Sequence, residues 1–226
     1  MANEFNTKRT AVVAVDFQVE CLDPKSYWPI VGAADVIRNA KTAIDACRRK
    51  QIPIIYTKHV LTPNGSNAFR LEPLKPDKRP FHSTANSPEG KICAELEPAP
   101  DDIIVEKQRW TGFYCTQLDL VLRKLDIEHL IMFGVWTEAC FETTVWDALW
   151  RDYRITIVKD ACGSATAAMH MTAILDLANW LYGGMIVNAS QLDLALAGQA
   201  YKAWRFSRPT EFPYTLETVT QMYELI

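Results

Sequence analysis

Short apolar runs alternate with helical patterns along this chain, and this alternation constrains the fold more than any other feature. The runs are three to five residues long and rich in β-branched side chains, as in strands of a parallel sheet that is covered on both faces. The alternation predicts an α/β, Rossmann-like fold with three layers (αβα) and a mainly parallel, six-stranded sheet. The predicted strands are 11–15, 52–56, 103–105, 130–133, 154–158 and 185–187.

The stretches between the strands predict helices. Apolar residues recur at helical spacing over about residues 34–50, where Cys47 falls on the apolar face and is predicted to be core. Further helices are predicted from Thr116, from Glu138, over 167–181 and over 191–196, with a short one inside residues 87–96.

The chain is predicted to divide into one large domain and a tail. Its 226 residues suffice for a single substantial core, which we assign to residues 1–198. Residues 199–226 differ in composition, with aromatic and basic side chains and one possible helix. This C-terminal extension could contact a neighbouring subunit, cover a site or wrap its own domain. The segment 57–102 is too long for a plain connector and is expected to shape a site or an interface.

Composition narrows the classes of partner. Lys and Arg number 24 against 27 for Asp and Glu, so a net charge of -3 predicts neither nucleic acid nor an anionic membrane as partner. No run approaches the roughly 18 apolar residues of a membrane span. The six cysteines form no C-x-x-C pair and the chain opens with no apolar signal segment, which predicts a reducing, cytoplasmic location. A small molecule is the expected ligand.

The stretch 129–150 places a cysteine at the start of a predicted helix. An apolar run stops at Gly134, Thr137 is a good N-cap residue, and Cys140 would then be the third helical residue. Backbone N–H groups there lack helical partners and carry partial positive charge, which stabilises a thiolate or an oxyanion. The alternative interpretation is a small apolar residue near a helix start.

Three reactive residue types follow predicted strands. Asp16 ends the first strand, Lys107 follows the third, and Cys140 follows the fourth. Ligands of open α/β sheets bind outside the carboxyl ends of the strands, so these side chains can meet there. Each also has an ordinary interpretation, as a helix cap, a surface charge or a core residue. A carboxylate at the end of an apolar strand, however, needs a nearby cation.

Three motifs resemble those of the isochorismatase-like cysteine hydrolases. They are VAVDFQ at 13–18, EKQRWTGFYCTQLDLVLRKLDI at 106–127 and GVWTEACFETTVWDAL at 134–149, and the resemblance runs from about residue 10 to residue 197. It implies the family's fold and a catalytic triad of Asp16, Lys107 and Cys140. It also implies an oxyanion hole at the backbone N–H groups of Ala139 and Cys140, shaped by a cis bond between Trp136 and Thr137.

The resemblance favours the C–N hydrolase branch of that family, which includes ureidoacrylate amidohydrolase and N-carbamoylsarcosine amidase, because Cys140 is present. The nicotinamidase branch binds a metal through an Asp-x-His arrangement after the second strand, where this chain reads Tyr56-Thr57-Lys58-His59. We therefore predict no metal and no cofactor. A metal-dependent enzyme of the nicotinamidase type stays an alternative, as does a non-catalytic scaffold subunit.

The predicted activity is hydrolysis of a small amide or ureido compound through a Cys140 thioester, with release of ammonia or an amine. Lys107 and the helix N-terminus are expected to favour the thiolate, while Asp16 takes the thiol proton as substrate binds. Cys115 and Cys162 are weaker candidates for the nucleophile, and whether Cys21 borders the site is left open.

Family members commonly form homo-oligomers, which we predict here as well. Whether His59 or His82 touches the ligand is left open. The predicted substrate-binding residues are Phe17, Gln18, Trp110, Phe113, Trp136 and Phe141.

Overall fold

A computed structural model describes residues 5–226, which form one seven-stranded sheet flanked by helices. The strand order is β3-β2-β1-β4-β5-β6-β7; every pairing among the first six is parallel, and β7 is antiparallel to β6. The predicted α/β class with a mainly parallel sheet is confirmed, whereas the predicted strand number was one too low. The strands are β1 Thr10–Val15, β2 Ile54–His59, β3 Ile103–Lys107, β4 His129–Gly134, β5 Arg154–Val158, β6 Met185–Val187 and β7 Trp204–Arg205.

The two central strands explain why apolar runs dominate the sequence. Every residue of β1 and β4 is buried, because both faces of the sheet are covered there. Val15 pairs with Gly134 on one side and with Thr57 on the other, so three strands end at nearly the same level. Pairing of His59 with Lys107 carries β2 and β3 beyond their predicted ends, since ladder hydrogen bonds continue through polar residues.

Seven helices are described in residues 5–226, and they pack by their apolar faces. The longest, Ala33–Arg49, buries Ile44 and Cys47 as predicted and packs against the helix Ala189–Leu196. The helix Ala167–Ala178 packs against the C-terminal helix Val219–Glu224 and against the turn Thr137–Phe141. In chain order the helices are α1 Val19–Leu22, α2 Ala33–Arg49, α3 Leu118–Lys124, α4 Glu142–Leu149, α5 Ala167–Ala178, α6 Ala189–Leu196 and α7 Val219–Glu224. None of them is both long enough and apolar enough to cross a membrane.

The long segment between β2 and β3 folds over the carboxyl end of the sheet. Its backbone bonds to the chain after β1, through Val19 N–H to the Lys91 carbonyl and Cys93 N–H to the Phe17 carbonyl, both at 2.9 Å. The short helix predicted here is reduced to one 3₁₀ turn, Ala94–Leu96. The segment therefore lies where the strand-end residues converge.

The C-terminal extension makes contacts with the rest of the chain. Within it, β7 adds the seventh strand. The Asn179 side chain accepts from Phe212 N–H at 2.8 Å and donates to the Phe212 carbonyl at 3.0 Å. Further on, the Tyr223 hydroxyl lies 2.8 Å from His170 Nε2.

Candidate active site

Asp16 and Lys107 form a buried ion pair at the carboxyl end of the sheet. Asp16 follows β1 with a positive φ of 53°, and Thr57 Oγ1 donates to its Oδ1 at 2.7 Å. Lys107 ends β3, two strands away, yet its long side chain places Nζ 2.7 Å from Asp16 Oδ2. The two side chains are 4% and 0% exposed. The cation that the sequence argument required for Asp16 is therefore Lys107.

Close approach of two strands delivers the cysteine to this pair. Gly134 ends β4 with a φ of 148°, and a Cβ at that position would lie 2.3 Å from the carbonyl oxygen of Val15. Only glycine lets the end of β4 lie this close to β1. The chain then turns, and Lys107 Nζ donates to Cys140 Sγ at 3.1 Å.

Three groups surround the Lys107 ammonium. It donates hydrogen bonds to Cys140 Sγ and to the carbonyl of Arg109, the latter at 3.0 Å, and it forms the ion pair with Asp16. The ammonium is thereby fixed between the carboxylate and the sulfur. The structure thus brings together the three residues that the sequence placed at three strand ends.

The turn that carries Cys140 differs from the predicted one in two respects. The cis peptide bond joins Val135 to Trp136, one bond earlier than predicted. Val135 N–H still pairs with β1, and the Thr137 N–H donates to the Gly163 carbonyl, so the chain turns between these residues. Thr137 is therefore not an N-cap: it begins a π-helical turn, Thr137–Phe141, that runs into α4. Such wide turns are frequent at functional sites.

The predicted oxyanion donors lie within this turn. Ala139 N–H already donates to the Trp136 carbonyl at 3.1 Å, and Phe141 N–H donates to the same oxygen at 3.1 Å. An oxyanion at Ala139 would have to share that donor. The role of the Cys140 N–H stays a prediction.

Burial decides the protonation state of the cysteine. It raises the pKa of Cys140 to about 12; the charge of Lys107 acts in the opposite direction, and the Asp16 carboxylate favours the protonated thiol. For Lys107, burial opposes the charge, but Asp16 and Cys140 outweigh it and raise the pKa. The resting site is therefore a neutral thiol beside a charged pair. The charge of Lys107 favours the thiolate, as expected from the sequence, but the desolvation of the sulfur outweighs it.

A cavity of about 510 Å³ opens beside Cys140. Of the predicted substrate-binding residues, Trp110, Trp136 and Gln18 line it, and Cys21 borders it as well. The other lining residues are Asp16, Glu20, Trp28, His59, Phe69, Leu71, Glu72, Pro73, Phe81, His82, Ser83, Val135 and Ala139.

Three predicted substrate-binding residues lie in the core instead. Phe17 packs edge-on against Phe133 with ring centres 5.9 Å apart, because it points away from its neighbour Asp16 at the strand end. Phe113 is buried and stacks on Tyr153, at 6.2 Å. Phe141, the neighbour of Cys140 in the π-helical turn, is fully buried.

Gln18 holds the wall of the cavity together. Its Oε1 accepts from His59 N–H at 2.7 Å, while its Nε2 donates to the carbonyls of His59 and Gly90 at 3.0 and 3.1 Å. With both ends of the amide bound to backbone, Gln18 positions β2 and the long segment against each other.

Both histidines that the sequence left open line the cavity. Burial lowers the pKa of His59 to about 3, and nearby Lys107 adds to this, so the imidazole is neutral. The rings of His59 and His82 lie 5.6 Å apart.

Glu20 is a lining residue that the sequence analysis missed. It accepts hydrogen bonds from Ser83 N–H and Ser83 Oγ at 2.7 and 2.8 Å, and burial raises its pKa. Glu72 was missed as well. For Glu72, the only available signal was the unusual length of segment 57–102, which indicated the region but none of its side chains.

The remaining cysteines differ from Cys140 in their surroundings. Cys115 is exposed, and Cys162 is buried with its thiol 3.4 Å from the Val158 carbonyl. Cys21 lies in the cavity wall, where burial raises its pKa well above the ordinary value. Within residues 5–226, no group of three or more His, Cys, Asp or Glu side chains is placed to hold a metal ion.

Known proteins are similar to this chain in sequence and in fold. The isochorismatase domain family matches residues 10–191. The ureidoacrylate amidohydrolase RutB of Caulobacter segnis is 31% identical over 176 residues, which are 70% of this chain and 74% of that protein. RutB of Pantoea ananatis is 31% identical over 181 residues, 71% and 72% of the two chains.

Solved structures give the same result. A cysteine hydrolase from Pseudomonas syringae pv. phaseolicola superposes with a TM-score of 0.77 at 28% identity, covering 86% of this chain and 95% of that one. N-carbamoylsarcosine amidase from Thermoplasma acidophilum gives 0.66 at 25% identity, covering 80% and 96%. The predictions of the fold class and of a hydrolase are confirmed, and the chain belongs to the isochorismatase family.

Proposed function

We propose that this protein is a cysteine-dependent amidohydrolase that cleaves a C–N bond of a small amide or ureido compound through a thioester on Cys140. The observation that carries the proposal is the placement of Lys107 Nζ, 2.7 Å from Asp16 Oδ2 and 3.1 Å from Cys140 Sγ. A nucleophile, a proton acceptor and a fixed cation are thus in mutual contact. The relatives named amidohydrolase and amidase support this choice of bond.

The first half of the reaction forms the thioester. Because the resting thiol is neutral, its proton passes to Asp16 as the sulfur attacks the carbonyl carbon. Lys107 stabilises the negative charge that passes between sulfur and carboxylate. The tetrahedral intermediate then collapses with cleavage of the C–N bond, and the nitrogen takes the proton from Asp16 as ammonia or an amine departs.

The second half releases the acid. Water adds to the thioester as Asp16 accepts one of its protons, and the C–S bond breaks. The proton returns to sulfur, which restores the neutral thiol. The product is a carboxylic acid from an amide or a carbamic acid from a ureido compound.

The test is substitution of the nucleophile. Cys140→Ala and Cys140→Ser are expected to abolish ammonia release from any amide that the wild-type enzyme hydrolyses, with unchanged circular dichroism. Cys162→Ala is the matched control, because that thiol is buried, lies 3.4 Å from the Val158 carbonyl and does not line the cavity. Mass spectrometry with a slow substrate should find one acyl adduct, on Cys140. Full activity of either Cys140 variant, or an adduct on Cys115 or Cys162, would contradict the proposal.

The contact set also bears on the alternative of a scaffold subunit. A vestigial site has no reason to keep a lysine ammonium buried against a carboxylate, since burying an ion pair carries a large desolvation penalty. A homo-oligomeric state and a cytoplasmic location belong to the same proposal. All six cysteines are unpaired, which supports a reducing compartment.

A further inference from the structure

Acidic groups line the cavity beside Cys140. Of the described side chains that line it, none belongs to lysine or arginine, whereas Asp16, Glu20 and Glu72 are present. Lys107 is fully buried and forms an ion pair with Asp16. His82, a lining side chain that can carry a positive charge when protonated, lies 3.6 Å from the Glu72 carboxylate. A negatively charged ligand would therefore find no lysine or arginine here and would compete with Glu72 for His82.

The arginine that follows the third strand is also engaged. The Arg109 guanidinium lies over the Phe69 ring, 4.4 Å from its centre. It donates to the carbonyls of Asn67 and Gln108 at 3.0 and 2.7 Å. Phe69 lines the cavity, whereas Arg109 does not.

Aromatic rings form most of the wall. Trp28 meets Trp136 edge to face with ring centres 6.1 Å apart, and Phe69 lies 5.5 Å from Trp110. With Phe81, these rings flank the opening near the sulfur. Such a wall favours a flat or apolar group, and its ring faces favour a cation over an anion.

We propose that the enzyme selects amides whose acyl portion is aromatic or apolar and carries no carboxylate, with Glu72 as a specificity-determining residue. The inference rests on the proposed function and narrows its substrate class. Ureidoacrylate and N-carbamoylsarcosine, the compounds in the names of two relatives, each carry a carboxylate. In this cavity such a group would lose its hydration without gaining a lysine or arginine partner and would face the Glu72 carboxylate.

Glu72 is held in place by its own loop. Its side chain is 11% exposed, Oε2 accepts from Phe69 N–H at 3.0 Å, and Oε1 lies 3.6 Å from His82 Nε2. Its carboxylate therefore stays in the cavity wall. Replacing it should alter discrimination between ligands of different charge more than it alters binding of neutral ones.

The experiment measures binding to the Cys140→Ala protein, so that turnover is not needed. Phenylacetamide and 4-carboxyphenylacetamide differ by one carboxylate, and 4-(aminomethyl)phenylacetamide supplies the cationic counterpart. Dissociation constants come from calorimetry or from quenching of tryptophan fluorescence, since three tryptophans line the cavity. The neutral and cationic amides are expected to bind about tenfold tighter than the carboxylate, or more. Repeating the series with Cys140→Ser keeps the measurement available if one variant fails to fold.

Charge substitutions at Glu72 supply the second arm. Glu72→Gln should reduce the difference in affinity between the neutral and the carboxylate ligand. Glu72→Lys should reverse that difference, so that the carboxylate ligand binds more tightly. Glu97→Lys is the matched control, because it changes the charge by the same amount at an exposed residue outside the cavity lining. It should leave the ratio of the two dissociation constants unchanged.

The outcomes separate this inference from the proposed function. Equal or tighter binding of the carboxylate, absence of binding by all three ligands, or an unchanged difference in affinity in Glu72→Lys would overturn the inference. If the binding order holds but the wild-type enzyme releases no ammonia from any amide, the proposed function fails while the selectivity of the cavity stands.

Discussion

Removing one partner of the buried ion pair should destabilise the protein far more than removing both. Lys107→Met keeps a long unbranched side chain but removes the charge that faces Asp16. The buried Asp16 carboxylate then loses its ion pair and keeps the hydrogen bond from the Thr57 hydroxyl. At the observed 2.7 Å, the attraction between the two charges is about 6 kcal/mol for an effective dielectric constant of about 20. Because part of this offsets the desolvation of both groups, we expect a loss of about 3 to 5 kcal/mol in the free energy of unfolding.

The double variant Asp16→Asn/Lys107→Met removes both charges. Replacing a whole buried pair is often close to neutral, so the double variant should be more stable than Lys107→Met alone. Urea denaturation followed by circular dichroism measures all four proteins of the cycle, with Lys58→Met as a control at a half-buried lysine one strand away. Losses that simply add in the double variant, or a loss below about 1 kcal/mol in Lys107→Met, would refute the account of the pair.

Three further predictions concern the protonation of the sulfur, the turn and the tail. Because burial raises the pKa of Cys140 to about 12, alkylation of Cys140 by iodoacetamide in the free enzyme should be slow at pH 7 and rise continuously to pH 10; a plateau reached below pH 8, seen by peptide mass spectrometry, would contradict this. Gly134→Ala should cost about 3 kcal/mol or more, measured by urea denaturation, because its Cβ would meet the backbone of Val15 at 2.3 Å; a loss below about 1 kcal/mol would show that the two strands separate easily. Tyr223→Phe removes the hydroxyl that bonds His170 and should lower stability by about 1 kcal/mol in thermal unfolding, whereas Tyr27→Phe, at an exposed ring, should not.

The π-helical turn shows how closely the sequence could approach the site and where it failed. A cysteine soon after a buried strand and a glycine was recognisable from the sequence, and the strand ends of Asp16 and Lys107 supplied its partners. The position of the cis bond and the type of turn were not recognisable from the sequence, because they depend on the pairing of Val135 with β1 and of Thr137 with Gly163. Both partners are far away in the sequence.

The aromatic residues illustrate the same limit. Trp110 and Phe113 lie three positions apart in one motif, yet Trp110 lines the cavity and Phe113 stacks on Tyr153 in the core. Outside regular strands and helices, sequence spacing does not determine which way a side chain points. The resemblance to a family indicated the motif but not the direction of each ring.

The sequence by itself determined the order of strands and helices, the parallel sheet and the three residues at its carboxyl end, because these follow from local periodicity and from the geometry of parallel sheets. Only the tertiary structure decided the protonation of Cys140 and the charge of the cavity. Both depend on burial and on residues such as Glu72, which the long segment brings to the site from far along the chain. Burial and long-range packing are collective properties of the fold, so no local pattern encodes them.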